Sequence, residues 1–314
     1  MKKFIVILLV MLLVVSCVMS VAGEQAQAAE GNIKIAAFLK TLANDHWVSM
    51  KKGFVDQAEK MGVKVDVYAV KSEGDIQGQL QLVENALGKG YDGFSISPIT
   101  PLNLITAIVA ANKKGIPCIN VDEAVNLQAL KDAGGKVAAF IRTDNYAIGQ
   151  KAANFVASKI TGGKVAIVEG MAGNSSGDAR RDGFRDRIKE ISGFEVVASQ
   201  PADWDRIKAL DVSTNMMNRF PDLKAIYCCN DTMALGVVQA AKNIDKLDNI
   251  IIVGTDGIDE AVKSVKKGEM NATIAQDPYK MGTIAVETLV KLIKTGKEKA
   301  DTFDILVPSK IITE

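Results

Sequence analysis

IKIAAFLKTLANDHWVSMKKGFVDQAEKMGVKVDVYA occupies residues 33–69. Ile33 to Phe38 and Val63 to Ala69 are short runs rich in β-branched and apolar residues, while Trp47, Met50, Phe54, Ala58 and Met61 recur between them at helical spacing. A strand, a helix and a strand in that order form the repeating unit of a parallel sheet. The alternation continues outward: Ile76, Leu80, Val83 and Leu87 mark one face of a helix that ends at the Gly88 and Gly90 breakers. Gly93 to Ile96 and Ile116 to Val121 are strands, with a helix around Leu104 to Lys114 between them.

The pattern then restarts, with strands at Lys164 to Glu169, Phe194 to Ser199, Ala225 to Cys228 and Ile250 to Gly254. Helices are expected near Arg181 to Ile191, Ile207 to Arg219, Thr232 to Ala241 and Asp259 to Lys267. A single open sheet of ten or more strands would be unusual, so the expectation is an α/β protein of two similar doubly wound parallel-sheet lobes. No Pro/Ser-rich linker separates the halves, so short strand-like segments are expected to cross between them as a hinge.

The composition narrows the function. Lys and Arg total 38 against 37 for Asp and Glu, a formal net charge of +1 that offers no general attraction for nucleic acid or anionic membrane. Met1 to Lys3 form a positive head, Phe4 to Val15 an apolar run too short to span a bilayer comfortably, and small residues follow, as in a secretory signal over residues 1–28. Two processing readings stand: cleavage at Ala26-Gln27-Ala28, which is favoured, or lipidation of Cys17 in Val14-Val15-Ser16-Cys17, where position 15 is not the small residue a lipobox prefers. The remaining Cys118, Cys228 and Cys229 are odd in number and lack C-x-x-C spacing, which argues against a disulfide framework and a zinc site and for small residues buried in strands.

Ligands of open α/β sheets bind beyond the carboxyl ends of the strands. Lys40, Asn44, His46 and Trp47 follow the first strand; Asn120, Asp122 and Glu123 follow the fourth. In the second half the corresponding positions are Asn174 to Arg181, Asp203-Trp204, Asn230-Asp231 and Asp256. Carboxylates and amides suit hydroxyls, Arg and Lys donate to ring and hydroxyl oxygens, and an indole covers the C–H face of a sugar ring. Trp47 and Trp204, the only tryptophans, fall one in each half, where closing lobes could sandwich a ring. Plainer readings compete: Asp45 and Asn230-Asp231 as helix caps, Asp256 as a turn residue, Arg180-Arg181 as a solvated helix start, and His46 as a rim or packing residue. There is no G-x-x-x-x-G-K-[ST], no H-E-x-x-H and no G-x-G-x-x-G after the first strand, and no enzyme, cofactor or metal site is expected.

Together Lys40 to Trp47 (KTLANDHW), Ser199 to Arg206 (SQPADWDR), Cys229 to Ala234 (CNDTMA), Val253 to Gly257 (VGTDG) and Ala275-Gln276 resemble the bacterial periplasmic sugar-binding proteins of the ribose, galactose and allose group, across essentially the whole mature chain. The resemblance implies the type I periplasmic binding protein fold, with lobes of residues 31–141 plus 277–306 and 142–276 plus 307–314 joined by a three-crossing hinge. It implies a monosaccharide ligand, allose foremost, with ribose, psicose or another related sugar as alternatives. Asn44, Trp47, Asp122, Glu123, one of Arg180 and Arg181, Trp204, Asn230 and Asp256 would form the site, with Gln276 near a hinge and Lys40 characteristic of the allose type. Ribose-type relatives carry aromatics where His46, Trp47 and Trp204 stand, so His46 departs from that pattern, and Glu123 is a second departure that favours a six-carbon ligand. The implied partners are the permease of an ABC transporter and, as a rival role, a chemoreceptor; the chain is expected to act outside the cytoplasm as a monomer.

Overall fold

Alternate residues of the first strand point in opposite directions, and both directions are apolar. Ile35, Ala37 and Leu39 pack with Met50, Phe54 and Met281, whereas Ala36 and Phe38 pack with Val83, Phe94 and Ile108 on the other side. A strand buried on both faces must lie inside a sheet that is covered by helices on both sides. The computed structural model describes residues 33–314, so the expected signal over residues 1–28, with Cys17, lies outside the described residues.

The chain begins with β1 (Lys34–Thr41), α1 (Asp45–Lys60), β2 (Lys64–Val70), α2 (Ile76–Ala86), β3 (Gly93–Ile96), α3 (Ile105–Lys113), β4 (Cys118–Val121), α4 (Leu127–Asp132) and β5 (Phe140–Arg142). It continues through α5 (Asn145–Lys159), β6 (Gly163–Glu169), α6 (Ser175–Glu190), β7 (Phe194–Pro201), α7 (Arg206–Arg219), β8 (Leu223–Cys228), α8 (Asp231–Asn243), β9 (Ile251–Asp256), α9 (Asp259–Lys266) and β10 (Ala272–Ala275). Helix α10 (Pro278–Thr295) and β11 (Asp304–Leu306) return to the first sheet, and β12 (Lys310–Ile312) ends on the second.

The sheets have the orders β11-β5-β4-β3-β1-β2 and β12-β10-β9-β8-β6-β7, parallel throughout except for β12 on β10. The backbone therefore passes between the sheets at 143–144, 276–277 and 307–309. In each sheet the strand order reverses beside the first strand of that half, which opens a crevice at the carboxyl ends. Cys118, Cys228 and Cys229 are free thiols inside the two lobes.

The expected elements form, and β3 coincides with its sequence reading. Helix α6 differs: it starts at Ser175 rather than Arg181, because the Asn174 side chain caps it by accepting from the Gly177 N–H at 3.1 Å. Arg180 and Arg181 therefore lie inside a helix, not at its solvated start. Helices α4 and α5 and strands β5, β10, β11 and β12 were not legible from periodicity. The strands have only three or four residues, and α5 has four Ala and one Gly where a helix face would show larger apolar residues.

The small residues of α5 have a packing reason. A Cβ on Gly149 would lie 2.1 Å from the Arg180 carbonyl oxygen, and one on Gly183 2.1 Å from that of Tyr146, so α5 and α6 touch backbone to backbone. The first lobe repeats the device: a Cβ on Gly53 would lie 2.1 Å from the Tyr279 carbonyl oxygen, and one on Gly282 2.4 Å from that of Met50. In each lobe a helix that directly follows a crossing is locked against its neighbour. Gly149→Ala should push α5 off α6 and cost about 1–3 kcal/mol. A urea unfolding midpoint equal to that of the wild type would contradict the close approach.

Candidate functional site

The first lobe's share of the site is set by one helix start. Asn44 Oδ1 accepts from the His46 N–H at 3.0 Å, capping α1 and placing His46 and Trp47 in its first turn beside Lys40 at the end of β1. Trp47 Nε1 donates to Glu73 Oε1 at 3.0 Å, which fixes the indole. Lys40 Nζ lies 3.2 Å from Glu123 Oε2, 4.0 Å from Glu73 Oε2 and 5.6 Å above the Trp47 ring. Burial opposes the ammonium charge, but Glu123, Glu73 and Asp122 outweigh it and raise the Lys40 pKa. Asp122, at φ 64° after β4, is held below the usual carboxylate range: burial works against its charge, and His46, Lys40 and Arg180 prevail.

The second lobe supplies the opposite wall. The buried guanidinium of Arg180 donates from Nε to Asn145 Oδ1 at 2.9 Å and from Nη1 to the Cys229 carbonyl at 2.8 Å, and reaches Asp256 Oδ1 at 3.5 Å. Asn230 caps α8 by accepting from the Met233 N–H at 2.8 Å. Buried Asp231 accepts from the N–H groups of Gly257 and Ile258 and from the Thr273 hydroxyl, tying down the loop that carries Asp256. Burial first, then the neighbouring Asp256, pushes the Asp231 carboxyl well above its usual range.

Trp204 is placed by backbone strain and by missing side chains. It sits at φ 65° next to Asp203 at φ 53°. A Cβ on Gly170 would lie 2.1 Å from the indole, and one on Gly177 2.8 Å from it, so only glycine admits the ring at these positions. Of the five non-glycine residues with positive φ among the described residues, Asp122, Trp204 and Asp256 line the cavity. Such strain persists where surrounding structure fixes it, and it clusters at functional sites.

These walls enclose about 310 Å³ of atom-free space, open mouth included, lined by Lys40, Asn44, His46, Trp47, Glu73, Asp122, Ser176, Arg180, Trp204, Asn230 and Asp256. The lobes meet across it. Glu123 Oε1 accepts from the Ser175 N–H at 2.7 Å, the Ser176 N–H at 3.3 Å and the Ser175 hydroxyl, while Oε2 accepts from the Ser176 hydroxyl at 2.8 Å. A first-lobe carboxylate thus caps the amino end of the second lobe's α6, where the helix dipole favours negative charge.

The structure brings together Lys40, Asn44, Trp47, Asp122, Arg180, Trp204, Asn230 and Asp256 from the set expected to touch ligand. Three others stand elsewhere. Glu123 is wholly buried behind the wall as the strap between lobes, and Gln276 lies behind Asp256, donating to its Oδ1 at 2.7 Å. Arg181 turns away to Glu169, Asp178 and Asp182, one helical position being enough to reverse its direction. Glu73 and Ser176 are lining residues that the sequence reading did not single out; Glu73 carried a signal, since it follows the second strand. His46, read as a rim or packing residue, lines the cavity itself.

Two doubly wound lobes that present their carboxyl ends to one shared polar cavity define the type I periplasmic binding protein fold. The chain belongs to the periplasmic binding protein family: residues 35–298 match the family described as "Periplasmic binding protein domain". It is 50% identical to the D-allose-binding periplasmic protein of Escherichia coli over 89% of this chain and 91% of that one. It is 37% identical to a ribose import binding protein of Haemophilus influenzae, over 92% and 94% of the two chains. Among solved structures, an ABC transporter periplasmic solute-binding protein from Actinobacillus succinogenes with bound D-allose superposes with a TM-score of 0.85 at 32% identity, covering 90% of this chain and 97% of that one.

The account of Trp204 can be checked by fluorescence in a Trp47→Phe background, where Trp204 is the sole indole. Gly170→Ala should displace the ring, shifting its emission to the red and raising its quenching by acrylamide. Emission identical to that of the parent would contradict the fit.

Proposed function

We propose that this chain is the exported binding component of an ABC importer, that it closes on a monosaccharide, D-allose foremost, and that it hands the sugar to a membrane permease without chemical change. The observation that carries this reading is where polarity goes unanswered. Of the six buried side-chain polar atoms without a hydrogen-bond partner among the described residues, His46 Nδ1 and Nε2 and Trp204 Nε1 belong to the cavity lining, and Gln276 Oε1 stands behind it. Buried donors and acceptors are normally satisfied, and sugar hydroxyls answer both kinds. Two indoles and five charged groups of both signs in one small cleft suit a neutral polyol better than an ion. The E. coli relative named for D-allose and the D-allose bound in the A. succinogenes structure favour that sugar over ribose.

In this reading Lys40, Asn44, Trp47, Asp122, Arg180, Trp204, Asn230 and Asp256 contact the ligand, and Gln276 holds Asp256. The lobes, residues 31–141 plus 277–306 and 142–276 plus 307–314, move as bodies about the three crossings. Sugar bound to both walls shifts the population toward closure in proportion to its preference for that state. Glu123 sets the resting balance, since its bonds to Ser175 and Ser176 exist only when the lobes meet.

Titration calorimetry and solution scattering with D-allose, D-ribose and D-psicose test the proposal. D-Allose should bind with the highest affinity and reduce the radius of gyration; absence of binding by every monosaccharide tried would refute it. Trp204→Ala should weaken binding by on the order of 10-fold or more while both lobes stay folded. Glu123→Ala, which also strands the buried Lys40 charge, should weaken binding without removing a lining residue; an unchanged dissociation constant would show that the strap does not govern closure.

A further inference from the structure

His46 stands at the seam between the lobes with 5% of its surface exposed. Its Nε2 lies 3.3 Å from Asp122 Oδ1 in its own lobe, and its Nδ1 lies 3.8 Å from Asp256 Oδ1 in the other. Both are ion-pair contacts that miss hydrogen-bond alignment, so neither ring nitrogen has an aligned acceptor or donor among the described residues. Trp47 meets the ring edge-on at a centroid distance of 5.0 Å, so the imidazole is held from one side while its nitrogens face carboxylates they do not align with. A phenyl ring would fill the same position without burying two unpaired polar atoms, so packing alone does not account for histidine.

Resting on the reading of the cavity as a monosaccharide site, we propose that His46 is a specificity-determining residue, whose imidazole hydrogen-bonds one ligand hydroxyl held between Asp122 and Asp256. A hydroxyl placed there donates to one carboxylate and accepts from the ring, so a single group answers two protein atoms at once. An aromatic hydrocarbon at this position offers only a face for C–H groups and is indifferent to the hydroxyl. A site built around a hydroxyl rejects the analogue that lacks it, because its own polar atoms are then left unpaired. The environment supports a donating ring: burial opposes protonation, but Asp122 and Asp256 outweigh both burial and Arg180, and the His46 pKa is raised.

The test is a panel of D-allose and its monodeoxy analogues measured against wild type, His46→Phe and His46→Gln. Wild type should lose at least about 10-fold in affinity for one analogue relative to D-allose. That ratio should fall to near one in His46→Phe and survive in part in His46→Gln. If the ratios in His46→Phe track the wild type across the panel, His46 is a strut between the lobes and the proposal fails, even where affinity drops uniformly. If wild type binds none of the sugars, the reading of the cavity fails instead.

A second measurement does not depend on either variant folding. His46 is the only histidine, so 15N-histidine labelling of the untagged chain gives one imidazole to follow. Its ring-nitrogen resonances should move on saturation with D-allose and settle elsewhere with the discriminated analogue. Identical end points for the two sugars would overturn the assignment.

Discussion

The buried carboxylate of Glu123 is the contact on which the closed arrangement depends. It joins three kinds of partner: the ammonium of Lys40 in its own lobe, and two hydroxyls and two backbone N–H groups at the amino end of α6 in the other. A carboxylate removed from water is tolerable only when its lone pairs are this well occupied. Lys40, a lining residue, is held by the same group, so Glu123 ties the wall of the cavity to the contact between the lobes.

Around that contact the two halves share a construction. Each lobe places a helix just after a chain crossing and packs it against a neighbour backbone to backbone through paired glycines. Asp122, Trp204 and Asp256 are held at positive φ at the tips of the loops.

Much of the fold was legible because strands such as β1 are buried on both faces and read as unbroken apolar runs, here Ile35 to Leu39. What escaped was short or small: three-residue strands lack a period, and α5 hides its helix in Ala and Gly chosen for close packing. The positions of the lining residues were legible because they follow strands, and a sheet delivers such residues to one end. Their direction was not. Arg180 and Arg181 are chemically the same and diverge by one helical step, and Glu123 differs from Asp122 by one position yet faces the opposite lobe. Whether a polar side chain meets a ligand or another part of the protein depends on tertiary neighbours, which neither periodicity nor residue type encodes.

Three thiols lie inside the lobes, Cys118 in the first and Cys228 and Cys229 in the second. Burial pushes Cys118 and Cys229 up to about 12, and Cys228 well above its ordinary value, so almost no thiolate exists in the native state. Alkylating reagents attack the thiolate, so modification waits on local opening. The chain therefore carries an intrinsic clock for breathing: the labelling rate at Cys118 times one half of the molecule, and that at the Cys228-Cys229 pair times the other.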